Sequence, residues 1–298
     1  MTAQTNHSGQ PFVAAALGLF DGVHLGHRSV IAAAASLGVC HAVTFSAETM
    51  PQKQEKSLRY IYDTRQKQKL LEESGADSVT ALDFSSYSML DGLTFCQKIL
   101  CERLHTNAVV CGEDYRFGYR AACDTEDLRR FGELLGFQTI IVPKLCDKSE
   151  QPISSSRIRV LLEEGEMITA NRLLGTDYTV YSEVIRGNAL GRTMGFPTAN
   201  QALKPFQCVP KRGVYASVAE IDGMEIPAIT NIGLRPTVAE TEKRPLAETH
   251  LLGWNGELSG KMLTVRLSRF LRAERKFSGF DELAAQIRTD IAMRRTFE

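Results

Sequence analysis

The feature that most constrains this 298-residue chain is a change of rhythm part-way along it. FVAAALGLF (12–20) is a short apolar run ending in Asp21-Gly22, which reads as a buried strand. A helix over His24 to Leu37 follows, then the strand HAVTFS (41–46). The order repeats as helix 64–75, strand SVTALDF (78–84), helix 93–104, strand NAVVCG (107–112), helix 124–136 and strand QTIIVP (138–143). Strands alternating with helices imply a parallel sheet with both faces covered.

After the helical pieces SSRIRVLLEEG and EMITANRLLG this rhythm stops at Gly175. From Asp177 onward, YTVYSEVI, GVYASVAEI, IPAITNIG and KMLTVRLSRFL are broken by Gly, Pro and Asn with no helix between them. That pattern predicts an antiparallel β-barrel, and FDELAAQIRTDIAMRR (280–295) adds a closing helix. The expected organisation is an α/β domain over 1–175 and a barrel domain over 176–298.

Charge and composition remove several function classes. A formal net charge of +0 gives no bulk attraction to nucleic acid or an anionic membrane. No apolar run approaches the ~20 residues of a membrane helix, and MTAQTNHSGQ lacks a signal-peptide core. Seven cysteines without a CxxC pair fit a reduced, cytoplasmic setting. Small-molecule substrates are therefore expected, in a monomer or weak homo-oligomer.

FDGVHLGH (20–27) lies where the first expected strand gives way to its helix. Ligands of open α/β sheets bind outside the carboxyl ends of the strands, where helix starts offer free N–H groups to anions. With His24 opening the first turn, His27 stands one turn on along the same face. Gly26 between them lets a phosphate approach the backbone. Two such imidazoles can stabilise charge on a phosphate in transfer, whether neutral or protonated. The spacing alone also fits two surface histidines, and no third His or Cys stands at zinc-ligand spacing.

GNALGRTMGFPTAN (187–200) carries Gly187, Gly191 and Gly195 four residues apart, in neither P-loop nor Rossmann order. Glycines at this density let backbone N–H groups curl around phosphates, with Arg192 adding charge. Thr198 and Asn200, two apart on a strand, share a face and offer the neutral oxygens that Mg2+ accepts. AETHLL (247–252) places Glu248 and His250 on one face by the same period. A carboxylate there can take the proton of an alcohol attacking a γ-phosphate. Taken singly, a glycine-rich turn and a solvated strand glutamate describe these two stretches equally well.

Their company carries a family resemblance. FDGVHLGH resembles the HxGH signature of nucleotidyltransferases in the form found in prokaryotic FAD synthetases. VVCGEDYRFGYR (109–120) resembles the GxDFxFG segment of that family, and ISSSRIRVLL (153–162) its ISSTxIR segment. GRTMGFPTAN, RGVYAS (212–217), NIGLRPT (231–237), ETHLL and FLRAERKFSGFDELAAQIRTD (270–290) resemble, in order, the riboflavin kinase module. The resemblance spans about residues 14–291. It implies a Rossmann-like nucleotidyltransferase domain followed by a six-stranded kinase barrel with a C-terminal helix.

By this resemblance His24 and His27 bind the ATP phosphates and stabilise the adenylyl group in transfer, beside Gly22 and Gly26. Ser155, Ser156 and Arg159 complete that phosphate site, while Asp114 and Phe117 contact nucleotide or flavin. In the second half the resemblance implies Thr198 and Asn200 as Mg2+ ligands and Glu248 as general base on the ribityl 5′-hydroxyl. The loop from Gly187 through Gly191 and Arg192 to Gly195 covers ATP, and Arg272 and Phe277 lie near the flavin. ATP is co-substrate; riboflavin, FMN and FAD are substrates or products. The chain departs from the pattern chiefly at Phe45-Ser46-Ala47-Glu48-Thr49-Met50-Pro51, where the family reads Phe-x-Pro-His-Pro. Smaller departures are Tyr115, Cys123, Ser156, Gln201 and Ser259. The implied activity is riboflavin phosphorylation followed by FMN adenylylation. The missing Pro-His-Pro also motivates a second reading, a kinase whose first half is scaffold or binding module. A third reading is a non-catalytic flavin or nucleotide sensor.

Overall fold

Five short strands open the chain: β1 (Val13–Leu17), β2 (Val39–Phe45), β3 (Ser78–Leu82), β4 (Ala108–Gly112) and β5 (Gln138–Val142). They form one sheet in the order β3-β2-β1-β4-β5, and every neighbouring pair is parallel. The computed structural model describes residues 11–51, 59–186, 191, 194–236 and 243–297. It divides into two compact units, residues 1–155 and 156–298.

In the first unit the central strand β1 is almost entirely small and apolar. Ala14, Ala15 and Ala16 are fully buried, as expected for a strand covered on both faces. One side of the sheet packs Ala15, Leu17, Val43 and Val109 against Phe95, Ile99, Leu100, Phe117, Leu128 and Phe137. The strand order reverses at β1, because β2 lies on one side of it and β4 on the other. A sheet with that reversal opens a crevice at the carboxyl ends of the two diverging strands.

Local sequence sets the helices. α1 (Leu25–Ala35) is capped by His24, and α2 (Thr64–Glu73) by the Asp63 carboxylate. α3 (Phe84–Tyr87) is a single turn capped by Asp83, within a stretch where periodicity gives no signal. The expected helix over 93–104 is α4 (Gly92–Phe95) running into a wider π-helical stretch, Cys96–Arg103, with Leu104 N–H bonded to Ile99 O. α5 (Thr125–Leu135) has a reciprocal Asp124–Asp127 capping box and ends on Gly136 in the left-handed conformation.

The second unit begins with α6 (Ser155–Glu164) and α7 (Met167–Leu174), apart from Ser155 itself. By sequence rhythm these helices continue the first half, yet their polar ties run to the barrel. Asn171 Nδ2 donates to Leu267 O at 2.9 Å, its Oδ1 accepts from Tyr178 N–H at 2.8 Å, and Lys211 N–H reaches Leu162 O. The barrel comprises β6 (Tyr178–Ile185), β7 (Ala199–Ala202), β8 (Gly213–Ile221), β9 (Met224–Pro236), β10 (Lys243–Leu251) and β11 (Met262–Ala273). It closes in the order β10-β7-β6-β11-β8-β9, all antiparallel. A helix over Phe280–Arg295 ends the chain. Among the described residues, no helix is long and apolar enough to cross a membrane.

Candidate active sites

FDGVHLGH emerges from the carboxyl end of β1, beside the GEDYRFG segment that leaves β4, so the two motifs flank the crevice. The loop between β1 and α1 is unusual. Phe20, Gly22 and Val23 all have positive φ, at 51°, 83° and 43°, and for a β-branched valine that backbone is strained. Asp21 anchors it: one carboxylate oxygen accepts from Ile61 N–H at 2.7 Å, and its carbonyl accepts from the Ser155 hydroxyl at 2.9 Å.

That loop delivers His24 as the N-cap of α1, its Nδ1 accepting from His27 N–H at 3.3 Å. The bond also fixes a tautomer. With Nδ1 an acceptor, the proton of neutral His24 sits on Nε2, which becomes the free donor. The His24 and His27 rings stack at 3.6 Å between centroids, 16° from parallel, and Phe20 meets His27 edge-on. Gly26 serves this stack directly. A Cβ there would lie 3.3 Å from His24 Cε1 and Nδ1, pressing on the ring.

Both imidazoles are held neutral. Burial pushes His24 down to about 4, partly opposed by a backbone hydrogen bond and by the Asp114 charge. His27 is driven well below its ordinary range by burial, by His24 and by the Lys67 ammonium. Of the options left open by the motif, the structure therefore selects neutral hydrogen-bond donors.

Lys67 carries no signal in the sequence. It is one of several polar residues in TRQKQKLL, yet it is only 2% exposed. Its ammonium donates to Leu19 O at 3.1 Å, Thr44 Oγ1 at 3.0 Å and Phe45 O at 2.6 Å. It thus clips together the chain leaving β1 and the chain leaving β2, and burial lowers it to about 8. The adjoining segment is the one that departs from the family pattern. Glu48 accepts from Ser46 Oγ at 2.8 Å, from Thr64 N–H at 3.2 Å and from Thr64 Oγ1, which fastens the Ser46–Met50 loop to the start of α2. Those bonds hold the Glu48 carboxyl below its ordinary range against the opposing effect of burial.

The remaining first-half candidates divide. Asp114 is exposed, near enough to His24 for its charge to be felt, and pairs with Lys144 at 3.4 Å. Phe117 instead lies in the core between Phe95, Tyr115 and Phe131, 7% exposed. Its ring packs behind the segment that leaves β4. Ser156 accepts from Arg159 Nη2 at 3.0 Å at the start of α6.

In the barrel, β7 and β10 are paired in register so that Glu248 lies directly opposite Asn200. Glu248 is half-buried and accepts no hydrogen bond from the described residues, leaving its lone pairs available. Thr198 is exposed at the entry to β7. Asn200 is buried, with Nδ2 donating to Thr198 O at 3.2 Å and Oδ1 accepting nothing. A buried amide oxygen without a donor costs about 1–3 kcal/mol. A hard cation satisfies such an oxygen, so the donor set fits Mg2+. Gln201, one residue on, is fully buried and grips Leu263 O at 2.8 Å and Ser182 O at 3.0 Å.

Of the glycine loop, Gly187 and Arg192 lie outside the described residues. Gly191 is pressed against the chain it precedes: Phe196 N–H bonds to its carbonyl at 2.7 Å, and a Cβ would fall 2.3 Å from Phe196 O. Gly195 sits in the turn before Phe196 at φ 81°. Arg272 is engaged by the C-terminal helix. Its Nε and Nη2 grip Asp290 of the C-terminal helix at 2.8–3.1 Å, and Nη1 donates to Ala273 O. The Arg272–Asp290 pair ties the end of β11 to the C-terminal helix, and the Phe277 ring lies near both Arg272 and Arg275.

The FAD synthetase family profile matches residues 7–157, and the riboflavin kinase profile matches residues 174–297. The chain is 33% identical to the bifunctional riboflavin kinase/FMN adenylyltransferase of Listeria monocytogenes, over 95% of this chain and 91% of that protein. The chain belongs to this bifunctional family. Relatives of the same description in Escherichia coli and Pseudomonas fluorescens are 32% and 34% identical, each across 94% of this chain and 91% of the relative. Among solved structures, a Streptococcus pneumoniae protein described as a macrolide-efflux protein aligns with a TM-score of 0.80 at 29% identity. That alignment covers 95% of this chain and 93% of that one. The family's two-part architecture, a parallel sheet followed by a closed barrel, is the one described above.

Proposed function

We propose that the chain makes FAD from riboflavin in two ATP-dependent steps, with residues 176–298 acting as riboflavin kinase and residues 1–175 as FMN adenylyltransferase. The observation that carries the reading is that one chain holds a neutral, stacked histidine pair at the crevice of its sheet and an unpartnered carboxylate opposite Asn200 in its barrel. The family relationships support both halves, because each profile covers its own motif set apart from residues 158–162 of ISSSRIRVLL. The segment from 158 to 173 lies between the two profiles. Its assignment to the adenylylating half rests on Arg159.

In the kinase half, the 5′-hydroxyl of riboflavin attacks the γ-phosphorus of ATP, and ADP leaves. An alcohol is a poor nucleophile until its proton departs, and Glu248 is the group placed to accept it. Thr198 and Asn200 would hold Mg2+, which when bound neutralises phosphate charge and orients the triphosphate. Gly191 shapes the loop entering this strand.

In the adenylylating half, a phosphate oxygen of FMN attacks the α-phosphorus of the second ATP, and pyrophosphate leaves. This nucleophile is already an anion, so no general base is needed. The requirement is donors aimed at developing charge, which suits the Nε2–H of His24 and the neutral His27. Asp21 and Lys67 keep the loops around those donors in place. The loop pinned by Glu48 stands where relatives carry Pro-His-Pro. Its fixed geometry favours a working site over a relic, and with it the bifunctional reading over a kinase alone. The proposal includes a cytoplasmic location and a monomer or weak homo-oligomer.

The test is chromatographic. Purified protein with ATP and Mg2+ receives riboflavin in one tube and FMN in another. FAD in both is the expected result, whereas FMN from riboflavin with no FAD in either would reduce the chain to a kinase.

A further inference from the structure

We infer that His250 is a positioning residue for phosphoryl transfer: it fixes the Pro197 carbonyl and, through it, the Thr198–Asn200 strand entry. The inference rests on the reading of Thr198 and Asn200 as cation ligands and of Glu248 as base. It starts from where the β7–β10 ladder stops. The register pairs Leu246 with Ala202, Ala247 with Gln201, Glu248 with Asn200 and Thr249 with Ala199. The next pair would be His250 with Thr198, but β7 begins at Ala199 and no backbone pair forms there. Pro197 has no N–H to contribute to a ladder. The ligand Thr198 therefore sits just beyond the last backbone constraint.

A side chain supplies what the backbone does not. His250 Nδ1 lies 2.8 Å from Pro197 O. A carbonyl only accepts, so Nδ1 carries the proton, and the bond persists whether the ring is neutral or charged. The imidazole also meets the Phe196 ring edge-on, at 5.5 Å between centroids and 84° between planes. Arg288 of the C-terminal helix lies over the same phenyl ring at 5.9 Å. Phe196 and Pro197 are thus held by His250 and, less directly, by Arg288, immediately before the first proposed ligand. Glu248 and His250 share one face of β10, so a single strand sets both the base and the clamp. Partners that orient a ligand-bearing segment commonly matter to metal affinity or activity by about 10- to 100-fold.

The test compares wild type, His250→Ala and His250→Asn, whose side-chain N–H can reproduce the Nδ1 donor. Hydrogen exchange of the amides of residues 198–200 is read without turnover. The Mg2+ concentration giving half-maximal riboflavin phosphorylation is read separately, and adenylylation of supplied FMN serves as a folding control. The expected result for His250→Ala is exchange faster by about tenfold at 198–200 and a raised Mg2+ requirement, with adenylylation retained, both reversed in His250→Asn. Unchanged exchange and Mg2+ requirement in His250→Ala would overturn the inference, as would equal kinase losses in both variants with exchange at 198–200 unmoved. Should His250→Ala loosen β8 and β11 as well, His250→Asn decides: wild-type exchange at 198–200 supports the clamp, and faster exchange there overturns it. Failure of the underlying reading looks different, since wild type itself would then make no FMN from riboflavin.

Discussion

The imidazoles of His24 and His27 lie stacked, 3.6 Å apart and 16° from parallel, and the first caps the helix that carries the second. Neither can take up a proton in the neutral range, because burial disfavours both charged forms. The arrangement turns two titratable side chains into fixed neutral donors.

Acid should therefore destabilise the first unit before it protonates the folded histidines. His24 is lowered from 6.5 to about 4, so between those values the unfolded chain binds the proton and the folded one does not. The stabilisation is complete above about pH 6.5, falls as pH drops, and is exhausted near pH 4, amounting to roughly 3 kcal/mol for a shift of this size. Urea unfolding between pH 7.5 and 4.5 should show this slope in wild type and a shallower one in His24→Gln. Equal slopes would remove the assignment.

His27→Ala should lower FMN adenylylation by about 10²- to 10³-fold while leaving riboflavin phosphorylation intact. Product chromatography with FMN or riboflavin as the starting flavin separates the two activities. Equal loss of both would indicate misfolding instead of lost chemistry.

Glu248→Gln removes the carboxylate base and keeps the shape of a strand residue. FMN formation should fall by about 10²- to 10⁴-fold, and adenylylation of supplied FMN should persist. An unimpaired kinase rate would end the general-base assignment.

Lys67→Met would take the ammonium donor from the Phe45 carbonyl and from Thr44 Oγ1, while the Leu19 carbonyl keeps only its bond from Thr44 Oγ1. Buried acceptors left unpaired cost about 1–3 kcal/mol each, and the loops bearing His24 and Glu48 lose their common tie. Adenylylation should drop at least tenfold and the melting temperature of the first unit should fall, with the kinase unaffected. A variant that melts earlier yet adenylylates normally would show that the clip is structural only.

Asp290 is buried against the partly exposed Arg272, so Asp290→Ala leaves a partly solvated guanidinium without its carboxylate. Breaking a fully buried pair from one side costs about 3–5 kcal/mol, and the solvent that reaches Arg272 lowers this to about 1–3 kcal/mol. Calorimetry should record that loss, and riboflavin phosphorylation should weaken as the end of β11 loses its tie to the C-terminal helix. A loss below about 1 kcal/mol would contradict the burial-based argument.

Much of this protein was legible from its residues alone. The alternation of apolar runs and helical spacing in the first half, and its disappearance after Gly175, determined a parallel sheet and then a barrel, because those periods follow from local geometry. The same holds for the first motif: His24 and His27, three residues apart at a helix start, meet wherever that helix forms, whereas Thr198, read as a strand partner of Asn200, falls just outside β7. Tertiary structure alone decided which polar residues were buried. Lys67 looks like any helix-surface lysine until β1 and β2 end beside it, and Glu48 looks like a loop acid until Thr64 arrives from sixteen residues away. Arg272 and Phe117 look like free polar and aromatic groups until Asp290 and the core, both distant in sequence, engage them. Protonation was decided in the same way. Sequence spacing brings two imidazoles together, but the burial that keeps them neutral comes from a fold assembled out of segments far apart along the chain.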